Sequence, residues 1–287
     1  MPSAAYTIAR FAYSRLRRGK NLLLNLFDRP VVILVYHRVT TLASDPQLLA
    51  VAPENFRAQM RYLKDHHPVL RFEEDWSGRG EAAVVVTFDD GYADNVLEAL
   101  PVLEEVGVPA TFFVSTATLG TAAEFWWDEL ERVILGDRPL PESFHLDDPR
   151  HGRLWPTVTA EQRLALYRDL QPLFKGAACA DRERWLAQLR LWAEAGAEGR
   201  GGYRAMTADE LRRLAASPLV TVGAHTVTHS ALSVLPERAQ REEILGSKRE
   251  LEALLEREVT VFSYPFGKRG DYRAETVGFC RARSAAR

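Results

Sequence analysis

Cysteine is almost missing from this chain: Cys179 and Cys280 are its only two, and their spacing matches no metal-binding or redox pattern. One disulfide between them is formally open, but free thiols in a reducing compartment are the simpler reading. Excess charge of one sign is lacking too. The 37 basic and 39 acidic side chains leave a net charge of −2, which gives no electrostatic footprint for nucleic acid. No stretch approaches the ~20 apolar residues of a membrane-spanning helix. A secretory leader needs an unbroken apolar core, and Arg10, Arg15, Arg17 and Arg18 interrupt every candidate near the N-terminus. Without such segments the expected location is cytoplasmic. Internal repeats and low-complexity tracts are also absent.

What is present suits one large globular unit. Of the 287 residues, 46% are hydrophobic and 26% charged, enough for a sizeable core, and α/β barrels of this length fold as one domain. Residues 31–36 read as a buried first strand, and 53–66 as a helix opened by Pro53 with Phe56, Met60 and Leu63 on one face. Residues 83–87 form a second strand, 94–106 a helix stopped by Gly107, and 109–114 a third strand. That alternation is the mark of right-handed parallel βα units.

Between about 118 and 202 the alternation gives way to helical patterns at 127–135, 160–174 and 182–195, with no convincing strand, and a flexible Gly-rich stretch at 196–202 closes the segment. It reads as a helical insertion. Trp126 and Trp127 within it suit either a sugar-stacking platform or, more commonly, core. Thr207 and Glu210 form a capping box, residues 219–224 a further strand, 236–256 a long amphipathic helix, 259–263 a strand, and a last helix begins near Arg273. Residues 1–30 form a basic segment, with Arg10, Arg15, Arg17, Arg18 and Lys20 interleaved with Ile8, Phe11, Tyr13 and Leu16. It suits a helix packed on the barrel with a solvated basic face. Peripheral binding to an anionic membrane is the other option.

Two strand ends carry chemistry. The Val-rich strand runs into Phe88-Asp89-Asp90-Gly91-Tyr92, two adjacent carboxylates where ligands meet a parallel sheet. Neighbouring acids repel unless a cation or proton separates their roles, so the pair suggests one metal ligand and one general base, although Asp-Asp-Gly is also ordinary turn chemistry. Strand 219–224 ends in His225-Thr226-Val227-Thr228-His229, whose imidazoles at i and i+4 fall on one side of a helical turn. One carboxylate and two imidazoles make a three-ligand site with an open position, as in catalytic zinc.

Together these elements resemble the polysaccharide deacetylases, metal-dependent carbohydrate esterases with a NodB-homology domain. The resemblance extends to Val114, Ser115 and Thr116, and to Phe262-Ser263-Tyr264-Pro265-Phe266-Gly267. It covers about residues 31–116 and 203–271. It implies an α/β fold, a distorted (β/α)7-type barrel, for residues 31–287, with the helical insertion and a C-terminus that stops short of the family's usual last strand. It implies Asp89 as base and Asp90, His225 and His229 as ligands of a divalent transition metal, Zn2+ first among them. A backbone N–H in the turn of Tyr264, Pro265 and Phe266 would hold the oxyanion, and Thr226 would hydrogen-bond within the metal loop.

No histidine follows His229, whereas the common family pattern places its general acid near the C-terminus. The segment Tyr36-His37-Arg38-Val39 resembles the start of a circularly permuted branch, which makes His37 the candidate acid. Ser263 stands where the family usually has the arginine that orients the base, and Arg38 is the candidate substitute. The implied substrate is an N-acetylated glycan or sugar conjugate of exopolysaccharide or cell-envelope metabolism. Hydrolysis of another small amide on the same fold, or sugar binding without catalysis, are the alternatives, and retention of Asp89 beside the triad favours an enzyme.

Overall fold

The computed structural model describes residues 30–281 except Gly78. The basic segment read as an N-terminal helix lies outside the described residues. Five parallel strands form one sheet: β1 (Val31–Tyr36), β5 (Ala83–Phe88), β6 (Ala110–Val114) and β9 (Val220–Ala224) in that spatial order, with β4 (Val69–Leu70) on the first half of β5. Two two-residue strands, β2 (Arg38–Val39) and β3 (Ala50–Val51), pair beside it. A parallel bridge from Ala224 to Phe262 extends the sheet beyond β9. The segment expected as a strand at 259–263 is reduced to this bridge. The result is an α/β fold of the expected distorted-barrel type, with its strand ends gathered on one side.

β5 and β6 are buried along their whole length, as uninterrupted apolar runs require when both faces are covered. β1 departs from the buried strand expected. It pairs with β5 alone among the described residues, and Val32, Ile33 and Val35 are exposed. A Val-rich run specifies a strand but not how many neighbours cover it.

α1 (Pro53–His66) places Pro53 in its first turn and buries Phe56, Met60 and Leu63, each such side chain contributing about 1.5–3 kcal/mol. The next helix is split: residues Asn95–Ala99 form a π turn before α2 (Leu100–Val106), which ends at Gly107 with φ 72°. Buried Asp94 and Asn95 begin that turn, and their side chains bond to the segment after β1.

Between β6 and β9 the chain builds a second core of its own. α3 (Trp126–Leu135), α4 (Ala160–Lys175) and α5 (Cys179–Trp192) bury Trp126, Trp127, Leu130, Phe174 and Trp185 together. This segment was expected to lack strands, yet it contains the antiparallel pair β7 (Ser143–His145) and β8 (Leu154–Pro156). Each is three residues long with one buried aromatic, Phe144 or Trp155, too short for alternation to show. The Gly-rich stretch is not a free linker: Gly199 N–H donates to Ala122 O at 3.3 Å, and Arg200 pairs with Glu124 at 2.7 Å.

α6 (Ala208–Ala216) opens with the expected capping box between Thr207 and Glu210, and α7 (Glu237–Leu255) and α8 (Ala274–Arg281) follow. No helix among the described residues is long and apolar enough to cross a membrane.

Candidate metal centre

Three strands deliver the site. β5 hands over to Asp89 and Asp90, β6 to Ser115, and β9 to His225. Backbone N–H groups sew these ends together: Asp89 donates to Tyr36 O at 2.9 Å, Ser115 to Asp90 O at 3.1 Å, and His225 to Val114 O at 3.0 Å. The Ser115 hydroxyl adds a bond to His225 O at 2.8 Å.

Four non-glycine residues in the left-handed region lie here: Asp90 (φ 75°), Thr226 (66°), His229 (51°) and Phe266 (65°). Such conformations cost on the order of 1–3 kcal/mol each and persist where the surroundings over-determine them. At Gly91, with φ 95°, a larger residue would strain the backbone and push on the Val114 side chain, since a Cβ there would lie 2.9 Å from Val114 Cγ1. Residues 225–229 are therefore not the helical turn that the i, i+4 spacing implied. They form a bent loop that brings the two imidazole centroids to 4.9 Å.

Asp90, His225 and His229 are buried, and one ligand atom from each lies within 4.8 Å of the others. Asp90 Oδ1 is 3.1 Å from His229 Nε2 and 3.7 Å from His225 Nε2, yet it has no hydrogen-bond partner. A buried carboxylate oxygen left unsatisfied between two imidazole nitrogens fits a divalent cation bound by mixed N and O ligands. Burial opposes ionisation of Asp90, but His229, with His37 and His225 behind it, holds its carboxyl down to about 2. Burial, then the charge of His229, pushes His225 down to about 3, which keeps it neutral, the form that ligates metal. His225 Nδ1–H donates to Ser263 O at 2.9 Å, turning Nε2 towards Asp90.

Asp89 differs from its neighbour. Its side chain is 15% exposed against 2% for Asp90. Burial, then the Asp90 charge, raises its carboxyl well above the usual range. His225 Nε2 is 4.0 Å from it.

The remaining expected residues fall in several places. His37 is half-buried directly after β1, whose last residue, Tyr36, pairs with Phe88. Asn95 Nδ2 fixes its carbonyl at 2.8 Å, and its charge reaches Asp90 and His225. Phe266 packs edge-on against His229 at 4.9 Å, with Lys175 Nζ 4.4 Å above its ring, and Tyr264 stacks on Tyr272 at 4.8 Å. Pro265 O accepts from Gly267 N–H at 2.8 Å, tightening the turn.

Two expected roles do not hold. Thr226 Oγ1 is buried without a hydrogen-bond partner, so the Ser263 carbonyl orients His225 instead. Arg38 does not orient Asp89. Fully buried, it pairs with Asp94 at 2.9 Å, donates to Gly202 O, and stacks on Tyr92 at 4.3 Å and Tyr203 at 4.5 Å. Its place at the start of β2 makes it a joint with the helical segment, through Gly202.

Other contributors gave no sequence signal. Glu243 of α7 accepts from Val227 N–H at 2.9 Å, Thr228 N–H at 2.8 Å and the Thr228 hydroxyl at 2.6 Å, clamping the histidine loop. Trp127 lies 4.6 Å from the His229 ring, opposing the choice of a sugar platform: both Trp126 and Trp127 are buried in the core.

The chain resembles known proteins in sequence and in fold. The family profile described as Polysaccharide deacetylase matches residues 77–135 and 191–281, more than half of the chain. YxkH of Bacillus subtilis (strain 168), which carries the name of a polysaccharide deacetylase, is 34% identical over 96 residues, 31% of this chain and 33% of that protein. IcaB from Ammonifex degensii superposes with a TM-score of 0.52 at 19% identity, over 89% of this chain and 82% of that one. A polysaccharide deacetylase from Bacillus cereus gives 0.50 at 20% identity, over 88% and 55%. At these identities the two structures show a shared fold. The chain spans about a third of the curated relative and about half of the Bacillus cereus protein.

Proposed function

The chain belongs to the polysaccharide deacetylase family, and from that premise we propose that it is a metal-dependent hydrolase that removes N-acetyl groups from a carbohydrate. The observation that carries this reading is the unsatisfied Asp90 Oδ1 facing the Nε2 atoms of His225 and His229, with a second carboxylate beside it. Asp90, His225 and His229 would hold the divalent ion, with Zn2+ the first candidate for this donor set. Such an ion, when bound, polarises an amide carbonyl and acidifies water.

Asp89 takes the proton from the attacking water, and its proton affinity suits it to that task. A carboxyl raised by burial and by Asp90 is a better base than an exposed aspartate. His37, on the neighbouring strand end, donates a proton to the departing amine. The turn of Tyr264, Pro265 and Phe266 lies against His229, where a backbone N–H can hold the oxyanion. The substrate is a glycan of exopolysaccharide or cell-envelope type, a reading supported by the family.

Residues 118–202 are proposed as an insertion within a deacetylase domain of residues 31–287. The separate core of this segment and the break in the family match between 135 and 191 support that division. The test of function is acetate release from N-acetylated oligosaccharides by protein loaded with divalent metal. Chelation should abolish release and metal should restore it. Release that persists after the metal has been removed completely would overturn the reading.

A further inference from the structure

The helical segment leaves a cavity of about 290 Å³ on the flank of the metal centre, lined by Thr118, Trp126, Arg182, Arg190, Thr228 and His229 among others. A single water needs roughly 10–15 Å³, so the space holds a ring or a branched polar group. Arg182 of α5 is 2% exposed. Its Nη2 donates to Thr228 O at 2.8 Å and Ser230 Oγ at 3.3 Å, while Nε and Nη1 are buried without a partner. Trp126 Nε1 and Thr118 Oγ1 are buried and unpartnered as well.

No carboxylate among the described residues forms an ion pair with Arg182, whereas the other arginines nearby are matched. Arg190 holds Glu129 at 2.8 Å, and Glu124 is taken by Arg132 at 2.9 Å and Arg200 at 2.7 Å. Glu243, which clamps the histidine loop, acts on Arg182 through space but forms no ion pair with it. Glu183, which also lines the cavity, is exposed. The Cys179 thiol lies against the Arg182 guanidinium as a weak acceptor, but burial pushes it up, so it stays protonated and supplies no counter-charge. A buried, unpaired guanidinium costs several kcal/mol, and arginine keeps its proton. Glu124 and Glu129 line the cavity but are held by other arginines, so its unpartnered N–H donors surround an Arg182 charge that no carboxylate ion-pairs.

We propose that this cavity is a subsite for an oxyanion carried by the substrate next to its N-acetylated sugar, received by Arg182. The carboxylate of an acidic sugar and the phosphate of a sugar carrier share that chemistry. The inference rests on the deacetylase reading, because the cavity reaches the metal centre through His229.

Calorimetric titration of metal-loaded protein with glucuronate and with inorganic phosphate tests it, metal content being measured in each sample. Saturable binding of either probe is expected. Arg182→Gln should weaken it at least tenfold when samples of equal metal content are compared, and Arg182→Lys, which keeps the charge, should weaken it less. Glucuronate binding alone assigns the site to acidic sugars, phosphate binding alone to a phosphorylated carrier. Binding of neither probe, or equal binding by wild type and Arg182→Gln, overturns the subsite. The titration involves no turnover, so acetate release without oxyanion binding sinks the subsite alone. Oxyanion binding without acetate release leaves the subsite and sinks the activity.

Discussion

Asp89 and Asp90 are adjacent in sequence and opposite in environment. Asp90 is turned by its left-handed backbone into the pocket of His225 and His229 and stays ionised. Asp89, outside that trio, is pushed towards protonation by burial and by its neighbour. A bound cation would offset the repulsion from Asp90 and set Asp89 free to cycle as a base. His37 has a separable role. His37→Ala should lower turnover by about 10²–10⁴-fold, the span of general acid catalysis, with metal content unchanged by atomic absorption. Loss of metal in that variant would make His37 a ligand and end its role as acid.

Elements set these side chains in place through their ends. The loops after β5, β6 and β9 are bonded to one another, and α7 reaches over to grip the histidine loop through Glu243. Glu243→Ala leaves the N–H groups of Val227 and Thr228 unpaired and should weaken metal binding by about 10–100-fold, as loss of ligand-orienting groups does. Unchanged affinity in a competitive metal titration would show that the loop holds itself. Gly91→Ala should destabilise the fold by roughly 1–3 kcal/mol, because φ is 95° and Val114 stands in the way. An unmoved urea midpoint would contradict that.

The acid pair, the histidine pair and the strands bearing them were legible because each strand is an apolar run ending in polar ligands. The helix over Pro53–His66 and the Thr207 capping box were legible from local patterns. The loop between His225 and His229 was not, since its shape comes from three neighbouring strand ends and a glutamate on a distant helix. Arg38 was misread for the same kind of reason: its partner Asp94 is 56 residues away.

At the scale of the whole molecule, the helical segment and the sheet are joined by buried polar contacts as well as apolar ones. Tyr92, two residues after the acid pair, donates to Asp128 of α3 at 2.6 Å and accepts from Trp127 Nε1 at 2.7 Å. Burial raises the Asp128 carboxyl to about 7, against the opposing pull of Tyr92 and Arg38. The stability that protonated Asp128 lends is therefore full below the ordinary aspartate range and is lost as pH rises towards 7. Asp128→Asn should remove this slope, gaining about 1–4 kcal/mol over wild type between pH 4 and 7, at about 1.4 kcal/mol per tenfold change in proton affinity. Urea unfolding at several pH values reads the difference, and parallel pH profiles for the two proteins would refute it. The division of labour within the acid pair rests on one comparison: bound metal and acetate release measured together in Asp89→Asn and Asp90→Asn. Asp89→Asn should keep its divalent ion and release no acetate, while Asp90→Asn should lose both; an Asp89→Asn protein that hydrolyses at the wild-type rate, or an Asp90→Asn protein that holds metal as tightly as wild type, would contradict it.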